Sequence, residues 1–367
     1  MAGVFRFSNA VSDIDKFIAT YKKIYSHFIN WTEDNRYFNH SEAAEFLAQN
    51  GLATSLGAIG EEALARSISR GTTEDNKMDK SRDPLYNQHK SYSEMFRMLG
   101  WYEPGNMQTN FRLSEFGAYV AETESSEVLR KIMEINILHI ASPNPLTNIK
   151  GNNILRPFPF IIKIMYELGG MLSRDELIIS VLACENDTTE SALQEAVSKI
   201  RDIRSHGLDA LVEEMEALKL RQNIKSKDTL PNYTRFPISA LKWLGIATAV
   251  NTRSVYTGKS VKMLKLTEKG KELGAALLQM PDIRYDSLLK FEPEARIAFI
   301  ALSNLQKLDM MGFDIGEYAA AIPILQEKAS PIITAYGTDG DRYLFFGYQE
   351  ASREDLHLVD KLLDEIL

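Results

Sequence analysis

Two stretches decide the reading: NQHKSYSEMFRMLGWYE (residues 87–103) and NYTRFPISALKWLGIAT (residues 232–248). They align at an offset of 145 residues. Asn87 matches Asn232, Lys90 matches Arg235, Arg97 matches Lys242, and Leu99–Gly100 matches Leu244–Gly245. A second pair follows, RLSEFGAYVA from Arg112 and KLTEKGKELG from Lys265. There Leu113, Ser114, Glu115 and Gly117 correspond to Leu266, Thr267, Glu268 and Gly270. Self-similarity at a long period marks a duplicated structural unit.

Each copy reads as helix, glycine turn, β-hairpin, helix. WYEP pairs with NFRL in the first copy, and GIATAV with VKMLKL in the second. Gly100 and Gly245 permit the sharp passage from helix to strand. Ser114 and Thr267 stand where the last helix needs an N-cap. Preceded by short helices, this order is the plan of a winged helix, whose recognition helix enters the major groove and whose hairpin reaches the backbone or minor groove. The two wings differ. Leu99 to Leu113 spans 14 residues and Leu244 to Leu266 spans 22, so the second is eight residues longer.

The chain has 367 residues and 44% hydrophobic content, enough for two or three ordinary cores. SPNPLTNIKGNN (142–153) reads as an inter-domain linker, and a second break falls at MPDIRYD, near Gln279–Asp286. These divide the chain into 1–145, a helical region with the first winged helix; 146–280, a second winged helix with a longer basic wing; and 281–367, a helix-hairpin-helix segment. The expected fold class is mainly α with short β-hairpins (α+β), with tandem winged-helix domains and a small C-terminal α/β segment. AVSDIDKFIATYKKIYSHFINW carries apolar residues at helical spacing through Ile14, Phe17, Ile18, Tyr21, Ile24 and Phe28. SEAAEFLAQ, with Ser41 as N-cap, and GEEALARSIS are two short helices. PFPFIIKIMYELGG reads as a buried helix closed by Gly169–Gly170, and SRDELIISVLACE as a helix with a Ser173/Glu176 capping box. TTESALQEAVSKIRDIRSHG ends at Gly207. SPIITAYG and YLFFGYQ are expected to pair as a third hairpin, with Asp339–Gly340–Asp341 at its tip and SREDLHLVDKLLDEIL as a closing helix. EPEARIAFIALSNLQKL is an amphipathic helix expected to pack on the second unit or to carry a partner.

Charge is unevenly placed. The whole chain is −8, but residues 219–271 hold twelve basic residues and only Asp228 and Glu268 as acids, a local +10 that leaves −18 elsewhere. Clustered Lys and Arg release counterions from phosphate, while acidic surface elsewhere need not touch a duplex. A solvated lysine-rich surface is the plain alternative, and the repeat tips the balance toward DNA. Residues 66–112 hold Arg66, Arg70, Lys77, Lys80, Arg82, Lys90, Arg97 and Arg112 against six acids. Candidate DNA-binding residues are Asn87, Gln88, His89, Lys90 and Arg97 in the first copy, and Asn232, Arg235 and Lys242 in the second. Asn and Gln bond adenine bidentately, and Lys or Arg bonds guanine. Arg97 and Lys242 come late in their helices, which suits phosphate contact or plain exposure better than base reading. Asn87 and Asn232 serve equally well as helix caps. Arg221, Lys225, Lys227, Arg253, Lys259 and Lys262 would clamp phosphates and a minor groove. Trp101, Trp243 and Phe96 read as core.

No catalytic pattern is found. No Lys has a Glu two residues before it, as the common restriction-nuclease core requires. His27, His40, His89, His139, His206 and His357 have no zinc spacing, and one cysteine, Cys184, builds neither a disulfide framework nor a Cys-based zinc site. Cys184 reads as a buried structural thiol. There is no P-loop or dinucleotide glycine fingerprint. No secretory signal and no membrane-length apolar run is read, so a soluble cytoplasmic protein is expected.

With the repeat in hand, the chain resembles the DNA-recognition region of type IIS restriction endonucleases of the FokI and AlwI kind. The likeness covers most of residues 85–280. It rests on KSYSEMFRMLGW…FRLSEFGAYVAE, RPFPFIIKIMYELGGMLSRDEL and ISALKWLGI…LKLTEKGKEL. SPIITAYGTDGDRYLFFGYQEASREDL resembles the segment that family places before its nuclease. The resemblance implies recognition of an asymmetric site in double-stranded DNA, in a restriction system acting in phage defence. No recognisable nuclease follows. An expressed recognition fragment, a natural subunit with a separate nuclease subunit, and an unrecognised active site all remain open. No cofactor is expected in this chain, and Mg2+ only for a partner nuclease domain. A winged-helix transcription regulator or replication initiator is the alternative. Regulators usually dimerise on symmetric operators, whereas two unequal wings in one chain suit an asymmetric site. A protein adaptor built from winged helices is a third reading, against which the +10 stretch argues.

Overall fold

The repeat is a repeat of backbone geometry as well as of letters. A computed structural model describes residues 3–7, 11–33, 36–51, 58–72, 79, 82–104, 110–138, 140–147, 153–189, 191–254, 256–279, 287–310, 312–337, 342–345 and 349–352. The first copy begins with α1 (Ile14–Glu33), β1 (Phe38–Asn39), α2 (His40–Gln49), α3 (Gly60–Gly71) and α4 (Pro84–Met98). It closes with β2 (Tyr102–Pro104), β3 (Asn110–Leu113), α5 (Glu115–Glu122) and α6 (Ser126–Leu138). The second runs α7 (Pro157–Glu167), β4 (Met171–Leu172), α8 (Arg174–Leu177) with a π-turn over Ile178–Leu182, α9 (Ala192–His206) and α10 (Leu208–Arg221). It continues through α11 (Thr229–Tyr233), α12 (Arg235–Trp243), β5 (Ala247–Arg253), β6 (Ser260–Leu266) and α13 (Glu268–Gln279). The chain then forms α14 (Pro293–Met310), α15 (Ala321–Gly337), β7 (Arg342–Phe345) and β8 (Gln349–Ser352). It is a mostly helical α+β protein with two small three-stranded antiparallel sheets.

Each sheet holds a strand that the sequence reading lacked. The orders are β1-β3-β2 and β4-β6-β5, so the strand preceding the short helices pairs with the second strand of each hairpin. β1 and β4 are two residues long, too short for any alternation to show. Each leads into a capping box. Ser173 takes Glu176 N–H, as expected. At the matching place Asn39, not Ser41, caps α2: its side chain accepts Ser41 N and Glu42 N, at 2.8 and 3.1 Å.

The hairpin junctions share their main hydrogen bonds. Gly100 and Gly245 have φ of 77° and 71°, the left-handed region that glycine enters freely. Ser114 Oγ donates to Gly100 O and Thr267 Oγ1 to Gly245 O, both at 2.6 Å. Each hydroxyl then accepts the N–H three residues on, Gly117 at 2.8 Å and Gly270 at 3.1 Å. A Cβ on Gly117 would fall on the Trp101 carbonyl oxygen, and one on Gly270 on that of Ile246.

One apolar core joins all three sequence regions. Phe7, ahead of α1, packs on Phe158 and Phe236 of the second copy, while Phe17 and Tyr21 pack on Phe96 and Trp101 of the first. The described part of the expected linker is buried, and Ser142 and Leu155 exchange backbone hydrogen bonds in both directions. Two C-terminal expectations are corrected. Ser330–Gly337 lies inside α15, and the hairpin there is β7 with β8. α14 packs on the first copy, not the second: Asn304 Oδ1 accepts Asn136 Nδ2 at 2.8 Å, and Ile300 lies over Gly100. The Asp339–Asp341 turn and residues 353–367 of the expected closing helix lie outside the described residues.

Candidate nucleic-acid interface

In the first copy the polar string is only partly turned inward, with His89 buried and Lys90 exposed. α4 starts at Pro84, with Asp83 as N-cap accepting Leu85 N and Tyr86 N, so Asn87 lies inside the helix and not at its N-cap. Leu85, His89, Tyr92 and Phe96 fall at spacings of four, three and four, and all four are buried. That periodicity was legible in the sequence, and it removes His89 from any duplex-facing set. His89 is wholly buried, with its Nδ1 3.0 Å from His40 Nδ1. One of the two nitrogens must therefore carry a hydrogen and the other a lone pair. Burial, then His40 and Arg97, push the His89 pKa well below 6.5. Gln88 is half-buried and hydrogen-bonds Tyr92. Arg97 is also half-buried, its guanidinium 5.5 Å from the Phe111 ring centroid and its pKa lowered by burial. Hence Gln88 and Arg97 are held within the unit, and of the expected base readers only Lys90 is exposed, with Asn87 partly so. Arg112 is paired to Glu103 at 2.9 Å and Arg66 to Glu62 at 2.5 Å. Lys77 and Lys80 lie outside the described residues.

The second copy matches this at most positions and departs at Lys242: Thr234, aligned with His89, is buried, and Arg235, aligned with Lys90, is exposed. Phe236, Ala240 and Leu241 take the core face of α12, which leaves Arg235 and Lys242 exposed. Asn232 is partly exposed in α11, and Thr234 separates α11 from α12 where α4 is continuous. Asn232 is not a cap either, for α11 is preceded by Asp228. Arg221 ends α10, and Lys225 and Lys227 follow it, all exposed. The α12 face is shared with the start of α1. Ser239 Oγ donates to Ser12 O at 2.7 Å, and Trp243 Nε1 to Asp15 Oδ1 at 2.8 Å. Arg130 lies 4.8 Å from the Trp243 ring centroid. Trp101 and Phe96 are core as expected, while Trp243 is half-buried at this junction.

The hairpin register sorts the remaining cations. Asn251 faces Lys262, and Arg253 faces Ser260, on one side of the ribbon. Thr248 faces Lys265 on the other side. Lys259 and Lys262 are exposed; Arg253 is exposed too, with Nε donating to Gly258 O at 3.0 Å. Among the described residues, no ion pair engages Arg221, Lys225, Lys227, Arg235, Lys242, Arg253, Lys259, Lys262 or Lys265. Asn251 and Lys265 join the candidate set here. Strand alternation was the signal for both, and it became usable once the register was known.

The hairpin tip is anchored. Tyr256 OH donates to Glu176 Oε1 at 2.5 Å, and Arg204 Nε donates to the same oxygen at 2.7 Å. Burial raises the Glu176 pKa, but the Arg204 and Tyr256 hydrogen bonds outweigh it, so the carboxyl is held below its ordinary value.

Elsewhere, a cleft of about 1180 Å³ lies between the first hairpin and the C-terminal helices. Its lining includes Glu103, Glu115, Glu122, Glu292, Glu294 and Glu317, a charge that repels a phosphate backbone. No group of three His, Cys, Asp or Glu side chains is placed to hold a metal among the described residues. Cys184 is partly buried just past the π-turn, and burial lifts its thiol pKa to about 12. No helix among the described residues is long and apolar enough to cross a membrane.

No family model matches the chain, and no curated protein matches it. Among solved structures, the restriction endonuclease FokI aligns with 78% of this chain and 51% of its own, at 13% identity and a TM-score of 0.32. The chain thus spans about half the length of that enzyme. At that score the superposition establishes neither fold nor function.

Proposed function

We propose that the chain binds double-stranded DNA sequence-specifically through two winged-helix units, with the second supplying most of the affinity. The observation that carries this is the set of exposed cations without carboxylate partners on α12, after α10 and along the second hairpin. Ion pairing takes up several cations in the first copy, and in the second it leaves these available for phosphate. Strand orders of 1-3-2 in both sheets, a helix before each hairpin and a capped helix after it support the winged-helix reading. Arg235 opens α12, the end from which recognition helices address base edges. Asn251, Lys259 and Lys262 suit a backbone or minor-groove contact. The restriction role rests on the sequence likeness alone. In it this chain recognises an asymmetric site and a separate domain or subunit cuts with Mg2+, in the cytoplasm.

Selection from a randomised duplex library at moderate salt, with a magnesium lane, tests this. One asymmetric motif of about five to seven base pairs, left uncut, is the expected result, and Arg235→Ala then relaxes one position. A palindromic motif favours a regulator. Cleavage by the chain alone reveals an active site of its own. No enrichment, with weak binding abolished by salt, overturns specific recognition.

A further inference from the structure

The second hairpin is the longer one, and added hairpin length ordinarily brings mobility. Here the added length is tied to the body of the protein. Tyr256 lies between β5 and β6 and gives its hydroxyl to Glu176. The fully buried Glu176 carboxylate also accepts Arg204 Nε at 2.7 Å, Arg204 Nη2 at 3.1 Å and Ser173 N at 2.7 Å. Arg204 Nη2 donates further to Met171 O at 3.0 Å, in the strand that pairs with β6. One carboxylate therefore gathers the start of α8, the end of α9, the third strand and the hairpin tip. Within the tip, Ser254 Oγ accepts Tyr256 N and Thr257 N, at 3.1 and 3.2 Å, and Ser254 N donates to Lys259 O at 2.7 Å. Glu42 occupies the corresponding capping-box position in the first copy, but it is only half-buried and, among the described residues, holds no arginine or tyrosine.

We propose that the Tyr256–Glu176 hydrogen bond latches the second hairpin, and that Tyr256 is a positioning residue that presents Asn251, Lys259 and Lys262 to a duplex as a fixed array. This rests on the DNA-binding reading above. An ordered hairpin binds without the ordering cost that a mobile one incurs.

The test uses the full chain as wild type, Tyr256→Phe, Lys262→Ala and the double variant, with hydrogen exchange over residues 250–262 and affinity for a duplex recovered from the library selection. Tyr256→Phe is expected to speed hairpin exchange about tenfold and to weaken binding about three- to tenfold, as for a lost hydrogen bond to a charged group. The Lys262→Ala effect should shrink in the Tyr256→Phe background, a coupling that a merely structural role would not produce. Glu176→Gln preserves the capping box and should reproduce the Tyr256→Phe exchange. Unchanged exchange overturns the latch. Faster exchange with unchanged affinity, or additive effects of Tyr256→Phe and Lys262→Ala, overturns the positioning role. If the wild type selects no duplex, the DNA reading fails and the positioning role with it, while exchange still decides the latch.

Discussion

The two copies of the repeat share their junctions and differ in where their polar side chains go. Position for position, His89 and Thr234 are both buried and Lys90 and Arg235 both exposed, whereas Arg97 is half-buried beside Phe111 and its counterpart Lys242 is exposed. Phe116 is core in the first copy, yet its counterpart Lys269 reaches across to the buried Glu134 at 2.6 Å. The comparison teaches that a motif can conserve a turn while single positions on the faces around it take different surroundings. Backbone hydrogen bonds and close glycine contacts define the turn. Packing against whichever elements lie nearby decides the faces.

The glycines give the sharpest way to break this equivalence. Gly117→Ala and Gly270→Ala each drive a Cβ onto a backbone carbonyl that cannot move aside. Each should cost about 3 kcal/mol, since strain of this kind reaches or exceeds the usual overpacking penalty. Thermal unfolding that moved for only one of them would show that the copies are not built alike.

The capping-box glutamates should separate the copies. Glu176→Ala leaves Arg204 partly buried without its anion and is expected to cost about 3 kcal/mol. Glu42→Ala loses only a cap bond, about 1 kcal/mol. Equal losses in urea unfolding would contradict the difference in burial.

On the proposed DNA-binding reading, the cations of the second copy give the next largest effect. Replacing Lys225, Lys227, Lys259 and Lys262 with Ala should weaken duplex binding by about 100-fold at 0.1 M salt and reduce the slope of log K against log salt by about 3.6. Lys90→Ala in the first copy should change affinity by less than about twofold, the scale of one exposed charge. A larger effect of Lys90 would move the interface toward the first copy.

The histidine pair adds a pH arm. The folded-state pKa of His89 is depressed by burial, so below 6.5 the unfolded chain binds more protons than the folded one. Stability is then full above that value and falls on acidification between it and the lower folded pKa, by at most about 1.4 kcal/mol per pH unit. The described histidine of the second copy, His206, is exposed. Hydrogen exchange at pH 7 and pH 5.5 should show the first copy loosening first, and His89→Leu should flatten the dependence. Uniform loosening would refute this.

Much of this was legible in the letters. Leu-Gly before a hairpin and Ser or Thr three residues before Gly state a local geometry, and local geometry is set by neighbours in sequence. The second-copy cations were legible too, because charge that packing does not consume stays outside. The inward face of α4 was written in the Leu85–His89–Tyr92–Phe96 spacing, but the run of polar names at residues 86–90 hid it. The hydrogen-bond partner that His89 meets inside is His40, forty-nine positions away.

By itself, then, the sequence determined the duplicated helix-turn-hairpin-helix unit, its caps at Ser114 and Thr267 and the concentration of positive charge after residue 219. Tertiary structure alone decided that two-residue strands complete each sheet, that α14 packs on the first copy, that the opening of α1 lies against α12, and that Tyr256 reaches Glu176. The physical reason is distance along the chain. A turn or a cap closes within a few residues and leaves its mark there. A two-residue strand, a histidine pair or a buried carboxylate with three donor residues is complete only when remote segments meet, and no local pattern records which segments those are.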